Sequence, residues 1–257
     1  MKDVNADFYV VAREAGAENP DIPTWANETA NVMNLEVNLK AKIKRVDLEE
    51  VPGAFQLLNV LTKQECLRLI KETENLGYLE DAAVSLPRSV RHNDNLTWVV
   101  DDATHDIIWN RCKEFMFDAK GIFYGKKTLG LNKRFRFYKY AKGDFFKFHT
   151  DGSWPGSSVQ NKELISDFYK DRYSQMTFLL FLSEDFEGGA TQFLVDKNDP
   201  KKPTRDTKNA NIVSIKTPLG GVLCFPHGLH PLHCLHQSEE IVSGIKYIVR
   251  SDVLFEL

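Results

Sequence analysis

Residues 134–152 read Arg-Phe-Arg-Phe-Tyr-Lys-Tyr-Ala-Lys-Gly-Asp-Phe-Phe-Lys-Phe-His-Thr-Asp-Gly. The alternation predicts strands over 133–140 and 145–149, separated at Gly143. In an extended chain successive side chains point to opposite faces, so Phe135 and Phe137 share one face and Tyr138 and Tyr140 the other. The same parity puts His149 and Asp151 together at the end of the second strand. An imidazole and a carboxylate so placed can reach a single ion. His-x-Asp recurs by chance, and its meaning depends on what the rest of the chain brings to it.

At 257 residues the chain can build one domain around a substantial core. Hydrophobic residues make up 42% and charged residues 27%, as in a globular protein. A net charge of −3 and a pI near 6.2 offer no basic face, which argues against nucleic acid as a partner. No apolar run reaches the length of a membrane span. The opening Met-Lys-Asp-Val-Asn-Ala-Asp lacks the apolar core of a signal peptide, so a cytoplasmic protein is expected. Cys66, Cys112, Cys224 and Cys234 lack paired spacing and read as reduced, buried thiols.

Residues 1–35 show no clear periodicity and read as a variable N-terminal extension, partly helical and without an assigned function. Residues 36–257 read as a single domain, with N-terminal helical support over 53–130 and a strand-rich core over 131–257. Leu35 to Lys44 alternates as a half-buried strand does, and Val51 to Leu61 predicts another. Thr62 with Glu65 forms a capping box opening a helix with the stripe Cys66, Leu69, Ile70, Thr73 and Leu76, stopped by Gly77. A second helix is expected over Ala103 to Phe117. Between the two, Pro87-Arg-Ser-Val-Arg-His-Asn-Asp-Asn reads as a polar loop. Its Arg88, Arg91 and Asn93 are substrate contacts if the loop borders a site, and solvated positions otherwise.

Further strands are expected at 176–182, 191–195, 212–216, 221–225, 232–236 and 246–255. Many short strands after two helices predict a mainly β fold with some α: a double-stranded β-helix, or jelly roll, flanked by N-terminal helices. Residues 152–174 form a long excursion after Asp151, of the kind that serves as a lid. Trp154 within it reads as substrate-facing or as an anchor of that loop.

His227, His230, His233 and His236 recur every three residues, but Pro226, Gly228 and Pro231 break any continuous helix. After His236 a turn over Ser238 to Gly244 would return the chain with Lys246, bringing an ammonium near an ion held by His236. Two imidazoles and a carboxylate make the facial triad that holds Fe(II) with open coordination positions. A buried cation beside it would neutralise the far carboxylate of a chelating dicarboxylate. His233 is the rival ligand, but Ser243 stands ten residues on in place of a cation, and His227 and His230 read as supporting or loop residues.

Together, His149-x-Asp151, His236 followed by Lys246, and Ser243-Gly-Ile-Lys-Tyr resemble the catalytic domain of the prolyl 4-hydroxylase type of Fe(II)/2-oxoglutarate-dependent dioxygenases. Thr177-Phe-Leu-Leu-Phe-Leu-Ser is similar to that family's central strand, and Glu187-Gly-Gly-Ala-Thr-Gln-Phe193 to its Gly-Gly-x-Thr-x-Phe signature. The likeness runs from about Ala54 to Phe255 and is densest from Phe135. It implies that His149, Asp151 and His236 bind Fe(II) and that Lys246 pairs with the distal carboxylate of 2-oxoglutarate. It further implies that Tyr140 hydrogen-bonds the cosubstrate and that Thr177 lines its pocket. Arg250, four residues past Lys246 on the same face, is a further anion or substrate contact. The implied reaction uses O2, with L-ascorbate as accessory reductant, and hydroxylates an unactivated C–H bond with release of succinate and CO2. The implied substrate is a prolyl or other residue in a protein or peptide, with a small molecule or free amino acid as the alternative.

Overall fold

Alternation along the long strands sends side chains to two separate cores, and this sorting builds the fold. The computed structural model describes residues 7–83, 86–117 and 121–257; the first six residues, which carry the expectation about a signal peptide, lie outside that range. The first half runs β1 (Phe8–Glu14), β2 (Ile22–Asn27), β3 (Lys44–Asp47), β4 (Phe55–Leu58), α1 (Lys63–Leu76), β5 (Arg91–His92), β6 (Asp94–Val99) and α2 (Asp102–Cys112). Next come β7 (Thr128–Leu131), β8 (Arg134–Tyr140), β9 (Phe145–His149), β10 (Ser158–Gln160), β11 (Glu163–Ile165), β12 (Arg172–Phe181) and β13 (Phe186–Gly188). The chain closes with β14 (Thr191–Asp196), β15 (Ala210–Ile215), β16 (Val222–Pro226), β17 (His236–Ser238), β18 (Ile241–Gly244) and β19 (Lys246–Glu256).

The major sheet has the order β1-β2-β6-β8-β19-β12-β16-β4-β3, and the minor sheet β15-β14-β17-β9-β5. On one face of the major sheet, Phe135, Phe137, Phe178, Leu180 and Val249 pack with Cys66 and Leu69 of α1 and Ile108 and Cys112 of α2. On the other, Tyr138, Tyr140, Leu179, Phe181 and Ile248 meet Phe146, Phe193 and Val195 of the minor sheet. This is a jelly roll with helices on its outer face. Burying each large apolar side chain contributes roughly 2–3 kcal/mol. Capping fixes where α1 starts: Thr62 accepts from the Glu65 amide at 3.2 Å, and Glu65 accepts from the Thr62 amide at 2.8 Å. The four cysteines are buried and free. Among the described residues no helix is long and apolar enough to cross a membrane.

Several sequence expectations give way. The opening segment contributes β1 and β2 to the major sheet rather than helix. Ile22, Thr24 and Ala26 of β2 face inward, and polar Thr24, whose hydroxyl donates to Glu14, masks that period. Leu35 to Lys44 is not a strand: Leu35 is buried but Val37, of the same parity, is 72% exposed, so the alternation follows no common face. In the polar loop, Arg91–His92 pairs with β9, and Asp94–Val99 joins the major sheet. The second helix ends at Cys112 and tightens to a 3-10 turn over Lys113–Phe115. No strand covers 232–235; tight turns link His227 to His230 and His230 to His233, and β17 begins at His236 instead of ending there. The expected turn from Ser238 to Gly244 holds β18, paired with β13 and pinned by the fully buried Ile241.

The excursion after Asp151 folds into the β10–β11 hairpin. Its tip leans on the N-terminal strands: Lys162 pairs with Glu28 and lies 5.3 Å from the Tyr9 ring.

Candidate metal centre

β9 and β17 lie side by side in the minor sheet with His149 directly opposite His236. Asp151 follows two residues beyond His149 and is buried. Candidate ligand atoms of these three residues all lie within 4.8 Å of one another. His149 Nε2 is 3.7 Å from Asp151 Oδ1, and His236 Nε2 is 3.4 Å from Asp151 Oδ2. Each ring is turned so that Nδ1 donates to a backbone carbonyl, Lys147 at 2.7 Å and Cys234 at 3.3 Å. A carbonyl only accepts, so the proton sits on Nδ1 and the Nε2 lone pairs converge. Burial lowers the His149 pKa to about 3, helped by the neighbouring His236, which leaves the neutral imidazole that a metal requires. Burial alone would raise Asp151, but the Arg250 guanidinium holds it well below the usual carboxylate range. Phe146 stacks on His149 at 3.5 Å between ring centroids and fixes its plane. The N2O donor set fits Fe(II).

A second layer orders the carboxylate. Thr177 Oγ1 donates to Asp151 Oδ2 at 2.7 Å, so its lone pair receives Nδ1–H of His227 at 2.9 Å. His227 Nε2 in turn accepts from Ser174 Oγ at 2.9 Å. Burial lowers His227 to about 4, so the relay runs through a neutral ring. His233 Nε2 accepts the Asp151 amide at 3.2 Å, which makes it a support of the Asp151 backbone.

An inner cavity of about 40 Å³ opens on the triad and is lined by Tyr140, Thr177, Thr191, Ser238 and Lys246 among others. Lys246 is fully buried, and its Nζ donates to the Gly189 carbonyl at 2.6 Å and to Ser238 Oγ at 2.9 Å. Both partners are neutral, and burial lowers the Lys246 pKa to about 7. A buried ammonium with neutral partners, beside a metal-competent triad, suits an anionic ligand. Gly188 and Gly189 have positive φ, and a Cβ on Gly188 would meet the Glu240 carbonyl at 2.2 Å. The Gly-Gly pair thus turns the Gly189 carbonyl toward Lys246. Tyr140 lies with its ring 5.2 Å from that ammonium, and burial raises its pKa, so it stays a phenol.

An outer cleft of about 390 Å³ also borders His149 and Asp151 and is lined by Arg91, Arg136, Trp154 and Arg250 among others. Arg250 Nη1 is 2.8 Å from Asp151 Oδ1 and Nη2 is 3.1 Å from Asp252 Oδ1.

No protein-family model and no curated protein sequence matches the chain. Solved structures do. A prolyl hydroxylase from Trichoplax adhaerens, in complex with a hypoxia inducible factor oxygen degradation domain peptide fragment, aligns at TM-score 0.50 and 15% identity over 79% of this chain and 84% of its own. The fold is that of the prolyl hydroxylases. A Pseudomonas putida prolyl-4-hydroxylase aligns at TM-score 0.48 and 14% identity, covering 79% of this chain and 92% of its own. A viral collagen prolyl hydroxylase from Paramecium Bursaria Chlorella virus-1 aligns at 0.47 and 16%, over 85% and 98%.

Within this prolyl-hydroxylase fold the structure brings His149, Asp151, His236, Lys246, Tyr140, Thr177 and Arg250 to one cavity. Of the loop candidates, Arg91 and Trp154 border the outer cleft, whereas Arg88 and Asn93 are not among its lining residues. Arg88 turns outward to the Glu80 carbonyl at 2.8 Å, and Asn93 is buried and bonds back to Asp94 at 2.9 Å, because β5 and β6 take up that segment. Sequence reading missed Phe146, Arg136 and Asp252, while His227, expected as a supporting or loop residue, supports Asp151 through Thr177. Arg136 and Asp252 sit on inward parity within β8 and β19, which is the signal that could have found them.

Proposed function

We propose that this chain is an Fe(II)- and 2-oxoglutarate-dependent dioxygenase hydroxylating an unactivated C–H bond, with release of succinate and CO2, in a prolyl or other residue of a protein or peptide. The observation that carries it is the buried Lys246 ammonium in the same cavity as His149, Asp151 and His236. These three would hold the ion, and Lys246 would receive the distal carboxylate of the cosubstrate, replacing two neutral partners with a charge-matched one. Bound there, the iron with 2-oxoglutarate, O2 and ascorbate as accessory reductant supplies the oxidising chemistry. Thr177 and Arg250 hold the two Asp151 oxygens so that the carboxylate presents one orientation. Phe146, Leu179, Phe225 and Ile248 exclude water from the cavity, and Tyr140 supplies a phenol donor in its wall. The substrate would enter by the outer cleft, past Arg91 and Trp154.

A second reading, hydroxylation of a small molecule or free amino acid, is favoured by one observation: buried guanidiniums line that cleft, as a compact charged ligand would need. The test is succinate formation from 2-oxoglutarate by the Fe(II)-loaded protein against proline-containing peptides and free amino acids. Stimulation by a peptide supports the first reading and stimulation by amino acids alone the second. Absence of metal-dependent 2-oxoglutarate binding overturns both.

A further inference from the structure

We propose that the outer cleft recognises a carboxylate on the substrate and that Arg136 anchors it. This rests on the reading of the neighbouring site as a hydroxylase and names the class of its substrate. Arg136 on β8 stands directly opposite Arg250 on β19. Like charges placed so across a sheet repel, and each needs an anion. Arg250 has two, Asp151 and Asp252. Arg136 has less: its Nη1 lies 3.6 Å from Asp252 Oδ2, beyond hydrogen-bond reach, and neither Nε nor Nη1 has a hydrogen-bond partner.

Arg136 is 6% exposed, so these donors are not satisfied by bulk solvent, and burial lowers its pKa. The Trp154 ring lies 5.2 Å from the guanidinium and gives it a surface to stack on within the cleft. Arg91 lies over Tyr138 and Phe146, at 5.9 Å and 5.6 Å, and adds a cation to the same cleft. Asp252 is shared between the two guanidiniums, and its Oδ1 goes to Arg250. A planar substrate carboxylate accepting from Arg136 would complete this set, since a guanidinium matches a carboxylate in a bidentate fork. A free amino acid and a peptide bearing an acidic side chain or free C-terminus share this chemistry.

The test compares acids with their neutral amides on the full chain. The probes are free amino acids against amino-acid amides, and peptides with Asp, Glu or a free C-terminus against their Asn, Gln or amidated forms. Two readouts are used: stimulated succinate formation with Fe(II), and the melting temperature of protein loaded with Mn(II) and 2-oxoglutarate. The expected result is that at least one acid outperforms its amide about tenfold or more in apparent affinity. Which member does so distinguishes a free amino acid from a peptide. Arg136→Gln should raise KM for that acid about tenfold or more while lowering kcat less, leave KM for the amide unmoved, and be partly rescued by Arg136→Lys. If the variant fails to fold, the wild-type acid–amide comparison decides alone. No acid exceeding its amide in either readout overturns the proposal while Mn(II) and 2-oxoglutarate binding leaves the hydroxylase reading standing; loss of that binding too overturns both.

Discussion

Thr177 donates to one oxygen of Asp151 at 2.7 Å while Arg250 holds the other at 2.8 Å. The Asp151 carboxylate is therefore held in one orientation, and the two supports come from adjacent strands, β12 and β19. Supports of this kind tune the ligand they orient.

Thr177→Val keeps the volume and removes the hydroxyl. It breaks the relay from Ser174 through His227 to Asp151 and should weaken metal affinity roughly 10–100-fold. A Co(II) or Mn(II) titration followed spectroscopically checks it, with the melting temperature as control for folding. Unchanged affinity would remove Thr177 from the metal site.

The ligand assignment separates His236 from its neighbour three residues upstream. His236→Ala removes an Nε2 facing the triad and should abolish metal binding and turnover. His233→Ala removes an acceptor for the Asp151 amide and a donor to the Gly228 carbonyl, neither of them a triad atom, and should keep most of both. The reverse pattern would place the third ligand at 233.

Lys246 carries a pH dependence with a definite sign. Its folded pKa is about 7 against 10.5 unfolded, so between those values the unfolded chain binds the extra proton, and burial of Lys246 destabilises the ligand-free protein most below pH 7. An anion beside it favours the ammonium, so 2-oxoglutarate binding should take up a proton at pH 8 and weaken as pH rises from 7 to 9. Lys246→Met should raise the melting temperature at pH 6 without ligand, yet lose 2-oxoglutarate affinity by roughly 10–100-fold together with its pH slope. Calorimetry in two buffers of different ionisation enthalpy reads the proton directly.

Far from the site, Arg111 clasps Glu65 at 2.7 Å and ties α2 to the first turn of α1. Burial alone would raise Glu65, but Arg111 and the backbone amides of Thr62 and Glu36 hold it lowered from 4.5. The contribution of this carboxylate is present above its unfolded pKa and is lost as pH falls through the lowered folded value. Arg111→Met leaves a buried carboxylate without its partner and should cost about 3–5 kcal/mol in urea unfolding at pH 7. The loss should shrink at acid pH.

What the sequence disclosed follows from where its signals are local. Parity in 134–149 correctly divided Phe135 and Phe137 from Tyr138 and Tyr140, because one strand with two buried faces writes both cores into one run. His149, Asp151 and His236 were legible from motif spacing, whereas the arginines around them were not. Arg136 and Arg250 meet only through the β8–β19 register, which no local pattern encodes. The strands β1 and β2 escaped notice because β2 pairs in parallel with the distant β6, and a polar Thr24 occupies its central inward position. Leu35 to Lys44 misled in the opposite sense: its alternation was compositional, with no sheet behind it.

The pairing of His149 with His236 has a meaning for folding as well as for chemistry. β17 is three residues long, and a slip by one would turn His236 to the opposite face. An ion held from both strands would thus be a reversible crosslink between segments distant in sequence, closing a long loop and recognising only the correct register. Metal supplied during refolding should act as a proofreader of strand alignment, rewarding the one arrangement of the minor sheet that can hold it.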